Sequence, residues 1–395
     1  MRFELANTLR AQGRYREAFE LDEDVHERFR RKEVFGEDHA YTLMAAGGLA
    51  GDLRGLGKYR EALERDEPTL VRWQRAYGDE YSRTLMAQHN LAISLRLVGD
   101  FRRAARLQED MLQRRTKVSG PEHYWTLHST IDWGRDLREI GQFVRSRDLL
   151  TDTMRACAAK FGDDHQLTLH TAKSLAVTLR RLGALDTSRD LTNETLQRYV
   201  KTRGEQHPDA VLCNLELACV LSAVGRHDEA RARAEAVLTH SKSVNGEEHP
   251  VTLAAANDMA IFLMRAGDYD QAGAIVQDTA ERFGEILGEH HPYALVCQMN
   301  LGNLWYAIGD LNRARQVDET SYEQLRALFD EEHPTVLAAE ANLAISQSDT
   351  QVGHDALEKL DKVAQTFRRV LGEHPNTEAV RRGERINSDI EPPPT

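Results

Sequence analysis

Gly246-Glu247-Glu248-His249-Pro250-Val251-Thr252-Leu253 returns 42 residues later as Gly288-Glu289-His290-His291-Pro292-Tyr293-Ala294-Leu295. The glycine of this pattern also stands at 36, 78, 120, 162 and 204; Asp330 takes its place next and Gly372 follows, always in steps of 42. A second glycine series, Gly57, Gly99, Gly141, Gly183, Gly225, Gly267 and Gly309, keeps the same spacing. A third series of small residues runs Ala62, Ala104, Ser146, Ser188, Ala230, Ala272, Ala314 and Ala356. Three series in one phase identify a repeated supersecondary unit, which has to be recognised before any other reading of the chain.

Each landmark has a physical reason. A glycine at a hairpin turn permits the left-handed conformation that ends a helix. Pro208, Pro250, Pro292, Pro334 and Pro375 suit a first helical position, where the missing N–H costs nothing. Glu247, Glu248, Glu331 and Glu332 lie favourably against helix N-termini. Between the landmarks, apolar residues recur at helical spacing, as in Leu91, Leu95 and Val98. Each unit therefore reads as a helix A of about 14 residues, a turn and a helix B of about 17, with the small residue at their closest approach. One such hairpin cannot bury its apolar face alone, and stacked neighbours can. The units run approximately 1–35, 36–77, 78–119, 120–161, 162–203, 204–245, 246–287, 288–329 and 330–371, so that residues 1–371 form the repeat array. A polar capping helix is expected over 372–387 and an extended proline-rich tail over 388–395. The first unit carries a two-residue insertion, Gly13 lying 44 before Gly57, and the last has Gln351 in place of its turn glycine. Phe3 aligns about one turn inside helix A, so the first helix is expected to lack its opening turn and either to continue from an upstream segment of a longer protein or to need an N-terminal partner domain.

Acidic residues outnumber basic ones, 63 to 51, for a net charge of −12, which argues against a nucleic-acid partner. The four cysteines, 157, 213, 219 and 297, form no CxxC pair and suit a reducing, cytoplasmic setting. There is no signal peptide and no apolar run near 18 residues, so no membrane partner is expected.

Leu91-Ala92, Leu217-Ala218 and Leu301-Gly302, with Trp305 and Ala314 following, resemble the core of the tetratricopeptide repeat. The 42-residue period with His249-Pro250-Val251-Thr252-Leu253 at its turn resembles the kinesin-light-chain-like subclass. This implies an all-α, right-handed superhelical solenoid of about nine antiparallel helix pairs, with the A helices along a concave surface. The ending Asn387-Ser388-Asp389-Ile390-Glu391-Pro392-Pro393-Pro394-Thr395 is similar to that of actinobacterial tetratricopeptide proteins of FxSxx-COOH peptide systems. Those proteins carry an NB-ARC-type nucleotide-binding switch domain upstream of the repeats, which would account for the abrupt start.

Aligned on Leu91, the position one helical turn later reads Arg10, Arg54, Arg96, Arg138, Arg180, Ser222, Met264 and Tyr306. The resulting groove is expected to be polarised. Its basic part comprises Arg54, Arg96, Arg135, Arg138, Lys173 and Arg180. Its later part offers Leu212, Leu215, Met264, Met299, Asn257, Asn303 and Tyr306, and Asn90 stands beside Leu91. Arginine forks suit carboxylates and asparagines can hold a peptide backbone, so an acidic or C-terminal-carboxylate peptide is the expected ligand. The competing reading is that the arginines form ion pairs between repeats.

No enzymatic constellation emerges. Eight of the sixteen histidines, 39, 123, 165, 207, 249, 291, 333 and 374, belong to the repeat landmark and are expected to build turns rather than bind metal. The glycine-rich run Gly47 to Lys58 lacks phosphate-loop spacing and has Tyr59 where a hydroxyl ligand would be. No cofactor is called for. The sequence is best read as a peptide- or protein-recognition module, the sensor part of a larger switch protein; a constitutive scaffold or oligomerisation module is the alternative.

Overall fold

The computed structural model describes residues 2–348 and 353–392, and among these the regular structure is entirely helical. The chain divides into two compact units. One comprises the chain up to Glu139 with Asp152–Thr168; the other comprises Ile140–Thr151 and the chain from Leu169 to Pro392. The first contains α1 (Arg2–Ala11), α2 (Tyr15–Phe29), α3 (Ala40–Gly55), α4 (Tyr59–Tyr77), α5 (Ser82–Leu97), α6 (Phe101–Ser119) and α7 (Tyr124–Glu139). The division falls within α8 (Phe143–Phe161) and α9 (Gln166–Arg181). The second continues with α10 (Leu185–Arg203), α11 (Pro208–Ala223), α12 (His227–Asn245), α13 (Pro250–Arg265) and α14 (Tyr269–Leu287). It ends with α15 (Pro292–Ala307), α16 (Leu311–Leu328), α17 (Pro334–Ser348), α18 (Gly353–Leu371) and α19 (Pro375–Arg381).

Within each unit consecutive helices pack against one another, α1 through α7 in the first and α10 through α19 in the second. In complete repeats helix A has 16 residues and helix B has 19, two more each than the sequence spacing predicts, because both start immediately after their caps. Gly57 shows how a pair turns. At φ +76° it sends the chain back so that the Lys58 N–H reaches the Leu53 carbonyl at 2.9 Å, the helix-ending arrangement glycine favours.

The landmark histidines are helix caps. His39, His123, His165, His207, His249, His291, His333 and His374 each accept, through Nδ1, the backbone N–H two residues on. This satisfies one of the donors a helix leaves unpaired at its start. The helix that breaks the pattern is α5, whose cap residue Tyr81 makes no such bond.

The small-residue series lies where expected: Ala62, Ala104, Ser146, Ser188, Ala230, Ala272 and Ala314 are all fully buried. In the first unit, Leu43, Leu70, Trp73, Leu91 and Leu95 pack in one cluster. In the second, Leu217, Leu221, Phe262, Val276 and Leu304 do. Gln351 and the Ala356 side chain lie outside the described residues, as do Pro393–Thr395.

The C-terminal region differs from its expectation in two ways. The helix expected over 372–387 covers only Pro375–Arg381, because Gly383 at φ +70° redirects the chain. The segment after it is not a free tail; it lies along the second unit's A helices. Among the described residues no helix is long and apolar enough to cross a membrane.

Candidate functional site

In the second unit, α13 touches α11 and α15, and α15 touches α17, so successive A helices present equivalent residues in register. The position immediately before the Leu217 equivalent reads Glu216, Asp258, Asn300 and Asn342. Asn257 and Asn303 flank this row. Against it lies the extended segment Arg385–Ile390, held largely by its backbone.

The Asn342 carboxamide accepts the Ile386 N–H at 2.8 Å and donates to the Ile386 carbonyl at 2.9 Å. Asn300 repeats the arrangement one helix pair back, accepting the Ser388 N–H at 3.0 Å and donating to its carbonyl at 2.8 Å. Asn303 donates to the Ile386 carbonyl and to Asn387 Oδ1, both at 2.8 Å. Asn257 reaches the Ser388 carbonyl at 3.4 Å. Asp258 accepts the Ile390 N–H at 3.0 Å. A carboxamide has both a donor and an acceptor, so it can pair with both polar groups of one residue whatever its side chain. The segment runs from α17 toward α9, opposite to the order of the repeats.

Its two ends carry opposite charge. Asp389 meets Arg180 at 2.8 Å and Arg181 at 2.9 Å, while Arg180 also holds Glu216 at 2.6 Å. Burial pushes the Asp389 carboxyl upward, but the two guanidinium groups outweigh it and hold the group below the ordinary carboxylate range. Asp258 goes the other way, raised by burial and then by the Asp389 charge.

At the opposite end Arg385 donates to Asp318 at 2.5 Å and to Asn303 Oδ1 at 2.7 Å, with its guanidinium 4.8 Å from the Tyr306 ring centre. Gly302 makes room for this pair: a Cβ there would stand 2.7 Å from Asp318 Oδ1 and 3.5 Å from Arg385 Nη2.

The residues expected to form the groove divide accordingly. Arg180, Asn257, Asn303 and Tyr306 converge on the segment. Lys173, in the same unit, pairs with Asp209 at 2.7 Å. Leu215 and Met264 belong to the core cluster, and Met299 is buried. In the first unit Arg10, Arg54 and Arg96 of the aligned series are paired with carboxylates. Arg10 holds Asp22 and Asp52; Arg54 holds Asp66 at 2.6 Å; Arg96 holds Asp136 at 2.7 Å and Asp132 at 3.1 Å. Arg135 stands 3.7 Å from Glu139, Arg138 is buried, and Asn90 is half-buried with its amide facing Gly47.

A further cluster in the first unit was not legible from local spacing. His89, His128 and Asp132 bring three potential ligand atoms within 4.8 Å of one another. Their A helices are neighbours in the repeat order, so no short motif links them. Burial pushes His89 down to about 3, and Asp132 is already claimed by Arg96, which holds it below the ordinary range against the effect of burial. Asp132 shares Arg96 with Asp136, and His89 Nε2 stands 3.4 Å from the Asp132 carboxylate.

Asn300, Asn342 and Asp318 were also missed. The signal was present, because Asn300 and Asn342 are 42 residues apart and Asn90 occupies the same repeat position.

A tetratricopeptide repeat family model matches residues 1–70, 41–117, 168–243 and 251–327, together more than half of the chain. No curated protein sequence matches. Among solved structures, a Rap protein complexed with competence and sporulation factor is similar at TM-score 0.59 and 12% identity, over 86% of this chain and 95% of that one. TPR-like repeats from Podosopora anserina, described as those of a kinesin light chain, align at 24% identity and TM-score 0.42, over 51% of this chain and 95% of that one. BtubC (BKLC) from P. vanneervenii aligns at 19% identity and TM-score 0.43, over 64% and 97%. For the Rap protein, at 12% identity, the likeness is one of fold.

Proposed function

Because the chain belongs to the tetratricopeptide repeat family, we propose that it is a peptide-recognition module, not an enzyme, whose second-unit groove takes an extended ligand with an acidic residue. The observation carrying this reading is the way Asn300 and Asn342 hold backbone while Arg180 and Arg181 hold a carboxylate. A C-terminal carboxylate would suit the same two guanidinium groups. Arg54, Arg96, Arg135, Arg138, Lys173 and Asn90 stay candidate contacts of lower rank, since a ligand there would have to compete with a carboxylate or enter a buried position. The setting we favour is cytoplasmic, with the four buried cysteines, none of them in a disulfide, as its support, and the module is read as the sensor part of an NB-ARC-type switch protein with a protein or peptide partner.

The test is binding of a panel of extended acidic peptides, followed by fluorescence anisotropy, to the native chain and to Arg180→Glu/Arg181→Glu. At least one peptide should bind, and the double substitution should weaken it by about 10-fold or more, since two charge-assisted contacts reverse sign. Equal affinity for both proteins would remove the carboxylate reading. Absence of all peptide binding, together with self-association in sedimentation, would favour the scaffold alternative.

A further inference from the structure

The segment Arg385–Ile390 satisfies the groove in a way that specifies what else could. Asp318 in α16 is equivalent to Asp66 in α4, and Ser346 to Ser94. Asp66 accepts from Arg54 at 2.6 Å and from Ser94 at 2.7 Å. Asp318 accepts from Ser346 at 2.7 Å, but the residue equivalent to Arg54 is Tyr306. The guanidinium is supplied by Arg385 instead, stacked on the aromatic ring that replaced the repeat arginine. This repeat therefore lacks its own cation and receives one from the segment in the groove.

Four residues further on, Asp389 meets Arg180 and Arg181. Ile386 and Ile390 are buried, whereas Ser388 is bonded through its backbone alone among the contacts described. The recognised features are thus a cation, an aliphatic residue after it, a carboxylate three positions later and a second aliphatic residue. Asn387 and Ser388 between them are half-exposed.

We propose that Arg385–Ile390 is a displaceable ligand in cis, and that the groove's partner in trans is an extended peptide of the pattern Arg-aliphatic-x-x-Asp-aliphatic bound in the same direction. This rests on the peptide-recognition reading above and adds the ligand's sequence pattern and the regulation of the site. A peptide lacking the arginine leaves Asp318 buried without its cation, a loss of about 100-fold or more in affinity. The tethered segment acts as a competitor at an effective concentration on the order of millimolar, so it sets the threshold a partner must exceed.

The probe is a fluorescein-labelled peptide with the sequence of residues 384–391, Glu-Arg-Ile-Asn-Ser-Asp-Ile-Glu. It is titrated into the full native chain and into full chains carrying Arg385→Glu/Ile386→Asp or the milder Asp389→Ala, which weaken the cis segment and leave the groove wall intact. Circular dichroism monitors folding. The substituted chains should bind the probe about 10-fold or more tightly than the native chain, and a probe with alanine at the position of Arg385 should lose that binding. In the native chain, excess unlabelled peptide should expose the Ile386 and Ile390 amides to hydrogen exchange. Unchanged protection in the native chain, or no gain in binding by a substituted chain of native helicity, would make the segment a fixed cap and overturn the proposal. An acidic peptide without the flanking arginine and isoleucines serves as the control arm. If it binds the substituted chains and the probe does not, peptide recognition stands and this inference fails; if neither binds, both fail.

Discussion

Asp66 and Asp318 occupy the same place in their respective repeats, are both buried and are each bonded to a serine on the following A helix. They differ in where the cation comes from. Arg54 belongs to the same hairpin as Asp66, twelve residues away, whereas Arg385 reaches Asp318 from 67 residues along the chain. The first pair separates only if the hairpin itself opens. The second separates whenever one short segment leaves its groove. Equivalent chemistry therefore serves as permanent structure in one repeat and as a detachable contact in another.

The sharpest way to break the comparison is to remove each cation with length preserved. Arg54→Met leaves Asp66 buried beside Ser94 with no charge partner, and should destabilise the first unit by about 3–5 kcal/mol, read as a loss in chemical-denaturation stability. Arg385→Met should cost less, because departure of the segment lets water reach Asp318 and the helices need not unfold. Equal losses would mean the two pairs are equally structural. Tyr306→Arg sharpens the contrast, since it returns a cation to the repeat and should free the C-terminal segment to protease at little cost to the helices.

A smaller effect separates the two ends of the segment. Asp258 accepts the Ile390 N–H, and its carboxyl is raised by burial and then by the charge of Asp389, with Arg180 opposing. Cys219 donates to its other oxygen, and Arg265 is the other buried cation whose state it influences. A raised folded-state pKa means that the folded form binds the proton more tightly. The stabilisation is full below the unfolded carboxylate pKa, about 4, and is lost as pH rises through the folded value. Native Tm should fall between about pH 4 and pH 8, and Asp258→Asn, which cannot ionise, should fall less across that span. Parallel curves for the two proteins would exclude Asp258 as the cause.

The repeat was legible because its landmarks are backbone requirements: a positive-φ glycine such as Gly57, or an N-terminal cap such as His249, leaves a mark that no neighbour alters. The same register placed Arg180, Asn257, Asn303 and Tyr306 on one face, and all four contact the segment 385–390. What they hold was not legible, because the row containing Asn300 and Asn342 lies one position from those compared, and its meaning depends on where residues 385–390 return. Periodicity places residues on faces; it does not say which distant segment reaches them. The competing reading of the arginines, ion pairs between repeats, describes Arg96 with Asp136, whereas Arg54 pairs within its own hairpin with Asp66, which register alone did not indicate.

The comparison extends to the helices that carry the two serines. Ser346 lies on α17, whose first turn is capped by His333, while Ser94 lies on α5, where Tyr81 stands in the histidine's place without a capping bond. Where an aromatic residue stands four before the cap histidine the ring also stacks on it, His333 on Phe329 at 4.2 Å, His39 on Phe35 at 4.4 Å and His165 on Phe161 at 4.6 Å. Tyr81 stacks on Tyr77 at 5.2 Å, so the surroundings of an imidazole are already in place. Tyr81→His would keep a stacked ring and add an acceptor for the Arg83 N–H. Cap formation is worth about 0.5–2 kcal/mol, and loss of the half-exposed tyrosine's own contacts, including Trp73, offsets part of it. A net gain of about 0.5 kcal/mol at neutral pH is expected, seen as a small rise in the first unit's Tm. The gain should vanish as the medium is acidified, because a protonated imidazole has no lone pair with which to accept. A gain that persists in acid would assign it to the stack rather than the cap.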